Sequence, residues 1–444
     1  MNKLTLQIYV EKRWWDAAEL SFTNPQEGFK AGCKLGYKPD YLVEHLDKIS
    51  TFLAWSIGAN LPLSWDTYSG SEVLALLQDI APAGAARRFL EARYGQQRPE
   101  NIAMDVFLLA TSTPAPIGHL RIKEAAEELN NVAELGFTRN EVVRRDNQFL
   151  EYAYEQGAAI GGATGAGGEA PKLLLTEAAD GLLYPDAGLA DNLALTHWFI
   201  KFPRNRAGAV DQDILRSEYC YYRAIHQLGF LTVGQAGLAL EEADKPSLWM
   251  HRFDREIADN KVTRLAVESI YSLMKVTQPG SYLNHLDVLE CLLQVWNAEK
   301  QADKVPVLVL EYLRRDLLNL VLGNSDNHGR NLSIIRSEQE IKLAPIYDLA
   351  PMVMDEEGVT RTTKWPQAVE LGGEVDWQAA CQLVAKLADL SEEWLYEELR
   401  KTANNLLALP DMFLDLGLPE RTWQHPRIPL ARLPQQFAKW GLLH

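Results

Sequence analysis

The sequence predicts an α+β protein in two lobes, a β-rich first half followed by a helical second half. Three observations predict it. Short β-prone runs broken by turn signals recur to about residue 255, helical periodicity takes over after Arg264, and the strands do not alternate with helices as repeated βαβ units would. The 444 residues suffice for two or three domains, here residues 1–130 as an N-terminal β-rich part, 131–262 as the rest of the first lobe, and 263–444 as the helical lobe.

The elements follow in order. Leu4, Leu6 and Tyr9-Val10 lie in β-prone runs before the Asn24-Pro25 turn signal. Residues 40–130 mix short helical patterns with loops and contain a strand over Ala115–Ile122. KEAAEELNNVAEL reads as a helix, and a second starts at the cap Thr138 and runs to Gly157. GAAIGGATGAGG then places six glycines in residues 157–168. PKLLLT, the Asp180-Gly181 turn, LLYPD and HWFIKFP read as strand, turn, strand and a further strand carrying Lys201. A helix closed by Gly229 and short strands up to SLWMHRFDR complete the first lobe. The second begins with helices at Ser269–Met274, His285–Trp296 and Pro306–Leu322, with Pro306 at a position where its missing N–H costs nothing. The loop GNSDNHGRNLSII precedes IKLAPIYDLAPM, and helices rich in Leu, Ala and Trp end the chain.

Composition excludes several classes. The four cysteines are isolated, which argues against a zinc cluster or disulfide framework and for a reducing, cytoplasmic setting. No run of about 18 apolar residues is present to span a membrane, and MNKLTLQIYVEKRWW is not a signal peptide. The net charge of −16 lacks the basic footprint of an autonomous nucleic-acid binder.

Four features bear on chemistry, each with a plainer alternative. The glycine run lets backbone N–H groups approach phosphates; it contains no Gly-Lys pair, and its GxGxxA match (Gly165, Gly167, Ala170) follows no apolar strand, so the alternative is a surface linker. Asp326, His328 and Asn331 stand as D-x-H-x-x-N, the Asp–Asn spacing of a kinase catalytic loop, or of a turn rich in turn formers. Asp348, flanked by apolar residues, suits a metal ligand or a helix N-cap. Lys201, amid apolar strand residues, suits an anion with Glu218 as ion partner, or a solvent-facing edge strand. Taken in order (glycine loop, strand lysine, helix glutamate, D-x-x-x-x-N, lone acid) they follow the protein-kinase plan.

GNSDNHGRNLSI together with LAPIYDLAPM resembles the HipA family of serine/threonine kinases, the toxin component of bacterial toxin–antitoxin pairs. GAGGEAPKLLL resembles that family's glycine loop, and FIKFP, RSEYCYYRAIHQLG and LWMHRFDR its next landmarks, so the resemblance covers residues 157–350. It implies a bilobal protein-kinase-like fold using ATP and Mg²⁺. Asp326 would be the catalytic Asp, with His328 bracing its loop, and Asn331 and Asp348 the Mg²⁺ ligands. Lys201, partnered by Glu218, and the loop glycines Gly165, Gly167 and Gly168 would hold the ATP phosphates. His251 and Phe253 would face the adenine, and Thr164 would be a site of autophosphorylation. The implied partners are a protein substrate with a Ser or Thr acceptor and a small antitoxin or repressor through which any DNA contact runs. The alternatives are a small-molecule or lipid kinase on the same scaffold and a nucleotide-binding pseudokinase. The other histidines and the acidic runs 241–244 and 355–358 read as structural and as solvated loops, respectively.

Overall fold

A computed structural model describes residues 2–129, 135–145, 170–233, 237–259 and 261–443. The first sheet is antiparallel, in the order Thr67–Ser69, Cys33–Tyr37, Arg13–Phe22, Lys3–Val10, Leu120–Ile122. Its apolar face packs on the helices Ser71–Ile80 and Met104–Thr111, with Leu6, Ile8, Leu20, Val73 and Val106 fully buried. The helices arise where alternation gives way to i, i+3, i+4 spacing, as at Val73, Leu76, Leu77 and Ile80.

The second sheet is also antiparallel, in the order Leu183–Pro185, Lys172–Ala178, Ala194–Lys201, Ser247–His251, Ala239–Glu241. Leu173, Leu174 and Leu175 are consecutive and all buried because both faces of that strand are covered: Leu173 and Leu175 meet Phe137, Val142 and Trp249, while Leu174 meets Ile117. The helix Ala209–Gln227 follows and enters the large core of the second lobe through Ile214, Tyr221 and Ile225.

The second lobe is built on His285–Ala298, Val305–Val321, Trp377–Ala388 and Glu392–Leu406. Asp376 and Ser391 cap the last two by accepting backbone N–H bonds from Ala379 and Trp394. The lobe also carries a small three-stranded sheet, Ala266–Ser269, Ser333–Arg336 and Ile341–Leu343, which the helical reading of this half omitted.

Two local expectations are corrected. The helix capped by Thr138 ends at Arg144, because Arg145 takes a left-handed conformation with φ 55°. Only Leu120–Ile122 of the stretch from Ala115 is strand. The backbone before it is occupied elsewhere: Gly118 N–H donates to Asp254 at 2.7 Å, and the Gly118 and Pro116 carbonyls accept from Arg255 and Arg252.

Residues 52–57 are fastened to the small sheet by one side chain. The buried Arg336 guanidinium donates to the carbonyls of Phe52, Leu53, Ser56 and Ile57 at 3.0–3.2 Å and lies 3.2 Å from Glu268. Arg336→Ala strands the Glu268 charge and four carbonyls, so it is expected to cost about 3–5 kcal/mol in urea unfolding.

Candidate active site

Lys201 ends its strand directly opposite Lys172 on the neighbouring strand. Two like charges facing each other repel, and two carboxylates offset them. Glu218, on the helix Ala209–Gln227, accepts from Lys201 Nζ with both oxygens at 2.7 Å. Asp348 accepts from Lys201 at 2.6 Å and from Lys172 at 3.2 Å. Tyr222 O–H donates to Glu218 at 2.7 Å and accepts the Leu349 N–H, which ties the helix to the Asp348 segment. Asp348 itself sits at φ 51°, a conformation costly outside glycine, and Asn324 holds its carbonyl at 3.3 Å.

The electrostatics follow from burial against these pairs. Burial works to raise the Asp348 pKa, but Lys172 and Lys201 outweigh it and hold the carboxyl at about 2. Burial works to lower Lys201, but Asp348 and Glu218 drive it above the ordinary lysine value. Lys172 ends below its ordinary value, because burial and the Lys201 charge exceed what Asp348 returns.

The Asp326 loop follows the helix Val305–Val321. The Asp326 carboxylate is about one third exposed, 3.4 Å from buried His328 Nε2. Asn331 Nδ2 donates to the Asp326 carbonyl at 2.5 Å, and Asp326 N–H donates to Asn324. His328 stacks on Tyr271, accepts the Arg330 N–H at Nδ1, and is kept below its usual pKa by burial. Gly329 is required here: a Cβ would meet the Tyr271 ring at 2.3 Å.

The loop is braced from outside. Asp316 accepts from Asn327, Arg361 and Trp365. Arg330 donates to Gln78 at 2.7 Å and lies 3.9 Å from Asp79, which accepts the Ser269 N–H and hydroxyl. Burial pushes buried Asp79 up to about 6 despite Arg330. Its folded pKa thus exceeds the unfolded 3.8, so the stability it contributes is full below about pH 4 and is lost as pH rises through about 6. Asp79→Asn is expected to remove that decline, on the order of 2 kcal/mol, from urea midpoints measured between pH 4 and 7.

Lys172, Lys201, Arg204, Glu218, Asp326 and Asp348 line one cavity. A neighbouring, more apolar cavity shares Lys201, Glu218 and Asp348 and is walled by Met250, His251, Phe253 and Tyr347. Phe253 stacks on Tyr347 with centroids 5.7 Å apart. The His251 ring packs edge-on to Trp198 at 4.5 Å and close over Gly237, where a Cβ would clash at 2.0 Å. Glycines 165, 167 and 168 and Thr164 lie outside the described residues.

The residues fit a Mg²⁺ ion held jointly with phosphates. Asn331 Oδ1 is buried with no hydrogen-bond partner and lines a cavity beside the one that Asp326 and Asp348 line. Among the described residues, no group of three or more His, Cys, Asp or Glu could hold a metal ion by itself.

Several alternatives fall away. Lys201 lies on an interior strand and is buried, so it is not a solvent-facing edge lysine. Asp348 caps no helix: the short turn after it is preceded by Pro351. Asp355, placed in a solvated acidic run, is buried and 3.1 Å from Arg204. Sequence reasoning missed Lys172, Asn324, Tyr222 and the Arg330–Asp79 brace. Only Lys172 carried a local signal, a lysine opening an otherwise apolar strand.

Two sheets, a helical lobe and a buried lysine–carboxylate cluster between them define a bilobal protein-kinase-like fold. The sequence profile of the HipA-like C-terminal domain matches residues 164–408, more than half of the chain, and the chain belongs to the HipA family. A putative kinase, Y4mE, of Sinorhizobium fredii is 35% identical over 115 residues, 24% of this chain and 26% of that relative, so the match spans about a quarter of its length. Among solved structures, the Shewanella oneidensis MR-1 toxin–antitoxin complex of HipA, HipB and operator DNA matches with a TM-score of 0.62 at 15% identity, covering 99% of this chain and 97% of the matched one. The Helicobacter pylori proinflammatory kinase CtkA aligns at a TM-score of 0.32 and 14% identity, over 55% of this chain and 84% of that one.

Proposed function

We propose that this chain is an ATP-dependent serine/threonine-protein kinase acting as a growth-inhibiting toxin. The observation that carries the reading is the buried Lys172–Asp348–Lys201–Glu218 cluster opening into the cavity that Asp326 also lines. Lys201, fixed by Glu218, would meet the ATP phosphates, with Lys172 beside it. Met250, Phe253 and Tyr347 would wall the adenine, with His251 at the edge. Asp326, accessible to solvent, would orient the acceptor hydroxyl and receive its proton. The γ-phosphorus would then gain a bond to the acceptor oxygen and lose its bond to the β-phosphate oxygen, leaving ADP. Asn331 and Asp348 would hold Mg²⁺, which when bound offsets charge on the phosphates.

Residues 1–130 form, in this reading, a subdomain seated on the two kinase lobes, with the lobe boundary near residue 262. Autophosphorylation at Thr164 would place about −1.5 to −2 charges beside the ATP phosphates and switch the kinase off. The Shewanella complex supports a small repressor as partner, with DNA contacted through it. Among the described residues no helix is long and apolar enough to cross a membrane, and the four free cysteines suit a reducing cytoplasm.

The test is incubation with γ-labelled ATP and Mg²⁺, with mapping of labelled residues by mass spectrometry. Label on a Ser or Thr is the expected result. Label transferred only to small molecules or lipids, or none despite Mg·ATP binding, would overturn the reading.

A further inference from the structure

A second cleft opens on the other side of the Asp326 loop. Its walls come from five separate stretches: Asn319–Ser325, Val353, residues 360–364, the hairpin around Gly372-Gly373, and residues 426–440. Ser325 lines this cleft while its chain neighbour Asp326 lines the phosphate-side cavity. The Ser325–Asp326 peptide therefore stands at the junction of the two. Ser325 is 3% exposed, and its hydroxyl is buried with no hydrogen-bond partner. A buried hydroxyl left unpaired costs free energy that a ligand at this spot would recover.

The charges of the cleft point one way. Its lining holds four cations, Arg361, Lys364, Arg427 and Arg432, against two carboxylates, Glu370 and Glu374. Both carboxylates are engaged: Glu374 with Lys439 at 2.7 Å and Trp440 at 2.5 Å, Glu370 with the Trp365 N–H at 3.0 Å and Arg361 at 3.6 Å. Arg361 is also spent on Asp316. Among the described residues, Lys364, Arg427 and Arg432 have no carboxylate at ion-pairing distance. Lys364 lies over the Tyr282 ring, and Arg432 donates to the Pro426 carbonyl. All three are exposed at the rim.

Three unneutralised cations gathered in one cleft stand out in a chain of net charge −16. We propose that this cleft seats the acceptor segment, and that the acceptor is an acidic peptide with carboxylates flanking its Ser or Thr. The proposal rests on the kinase reading and deepens it by assigning the substrate class. An acidic segment confined to the cleft meets its three unneutralised cations and two carboxylates that already have donors, with its hydroxyl delivered across Ser325 to Asp326. A long polyanion such as a nucleic acid extends beyond the cleft and meets a chain whose net charge, −16, has its own sign. Glu370 and Glu374 do not reverse the balance, because each is held by its own donors.

The experiment reads binding and transfer separately. A fluorescein-labelled serine peptide flanked by glutamates, and its lysine-flanked counterpart, are titrated against the full chain by anisotropy at two salt concentrations, then offered as acceptors with γ-labelled ATP. The expected result is at least about tenfold tighter, salt-sensitive binding of the glutamate peptide, in line with unscreened cations meeting carboxylates. R427E/R432E is expected to abolish that preference while Mg·ATP affinity and unfolding temperature stay unchanged. Equal binding of both peptides, a lysine-peptide preference, a wild-type-like double variant, or displacement by a short single-stranded oligonucleotide with higher affinity would overturn the proposal. Arginine-dependent peptide binding without transfer would sustain the cleft assignment and count against the kinase reading instead.

Discussion

Asp348→Asn is expected to abolish phosphoryl transfer and, unusually for a site residue, to destabilise the protein as well. The substitution keeps the shape but takes from Lys172 and Lys201, buried across a strand pair, the carboxylate that they share. Removing one partner from a buried charge cluster costs about 3–5 kcal/mol. The loss is read from chemical unfolding at pH 7. Pyrophosphate, whose charge is opposite to that of the two lysines, is expected to restore part of it by mass action on the folded state. The pH behaviour gives a second reading. The Asp348 pKa is held down at about 2 in the fold, so its contribution is present above the unfolded value of 3.8 and is lost as pH falls through about 2. The variant therefore lacks that acid limb. A companion, D348N/K172M, returns the cluster to neutrality and is expected to regain stability while remaining unable to transfer. Wild-type stability in the single variant would mean that the cluster is not the charge-balanced unit described here.

Asp326→Asn is expected to separate chemistry from folding. The carboxylate is partly exposed, and its nearest described ionisable partner is His328 at 3.4 Å, so little packing or pairing depends on its charge. The backbone of residue 326, not its side chain, holds Asn331 and Asn324. An oriented acid–base group contributes typically about 10²–10⁴ in rate, and a loss of that size in kcat is expected. KM for Mg·ATP and the unfolding midpoint are expected to stay at wild-type values. A variant that transfers at the wild-type rate would remove Asp326 from the mechanism, and one that unfolds would make it structural.

The parts of this protein that local chemistry dictates were legible. The strand lysine Lys201, the helix glutamate Glu218, Asp326 and the lone acid Asp348 line one cavity, whereas Asn331 lines a neighbouring one. The pairing of Lys201 with Glu218 was legible too, because a lysine within an apolar strand demands a counter-ion and the next helix offered one. The cap at Thr138 and the left-handed turn at Gly229 need only a few neighbouring residues.

What was not legible required distant partners. Arg145 adopts a left-handed conformation that stops a helix whose periodicity continues beyond it. The Ala115 stretch gives up strand pairing because Asp254, Arg252 and Arg255 claim its backbone. Asp355 belongs to an acidic run, yet folding buries it against Arg204.

The sequence by itself determined the family and the kinase-like fold of this chain, because residue types and their short spacings set what a loop or strand can hold. Only the tertiary structure decided how the charges balance. Lys172 and Asp348 are 176 residues apart, and Asp79 and Ser269 are 190 apart. A buried ion accepts whichever opposite charge the packing of the lobes brings within reach, and no spacing along the chain records that distance.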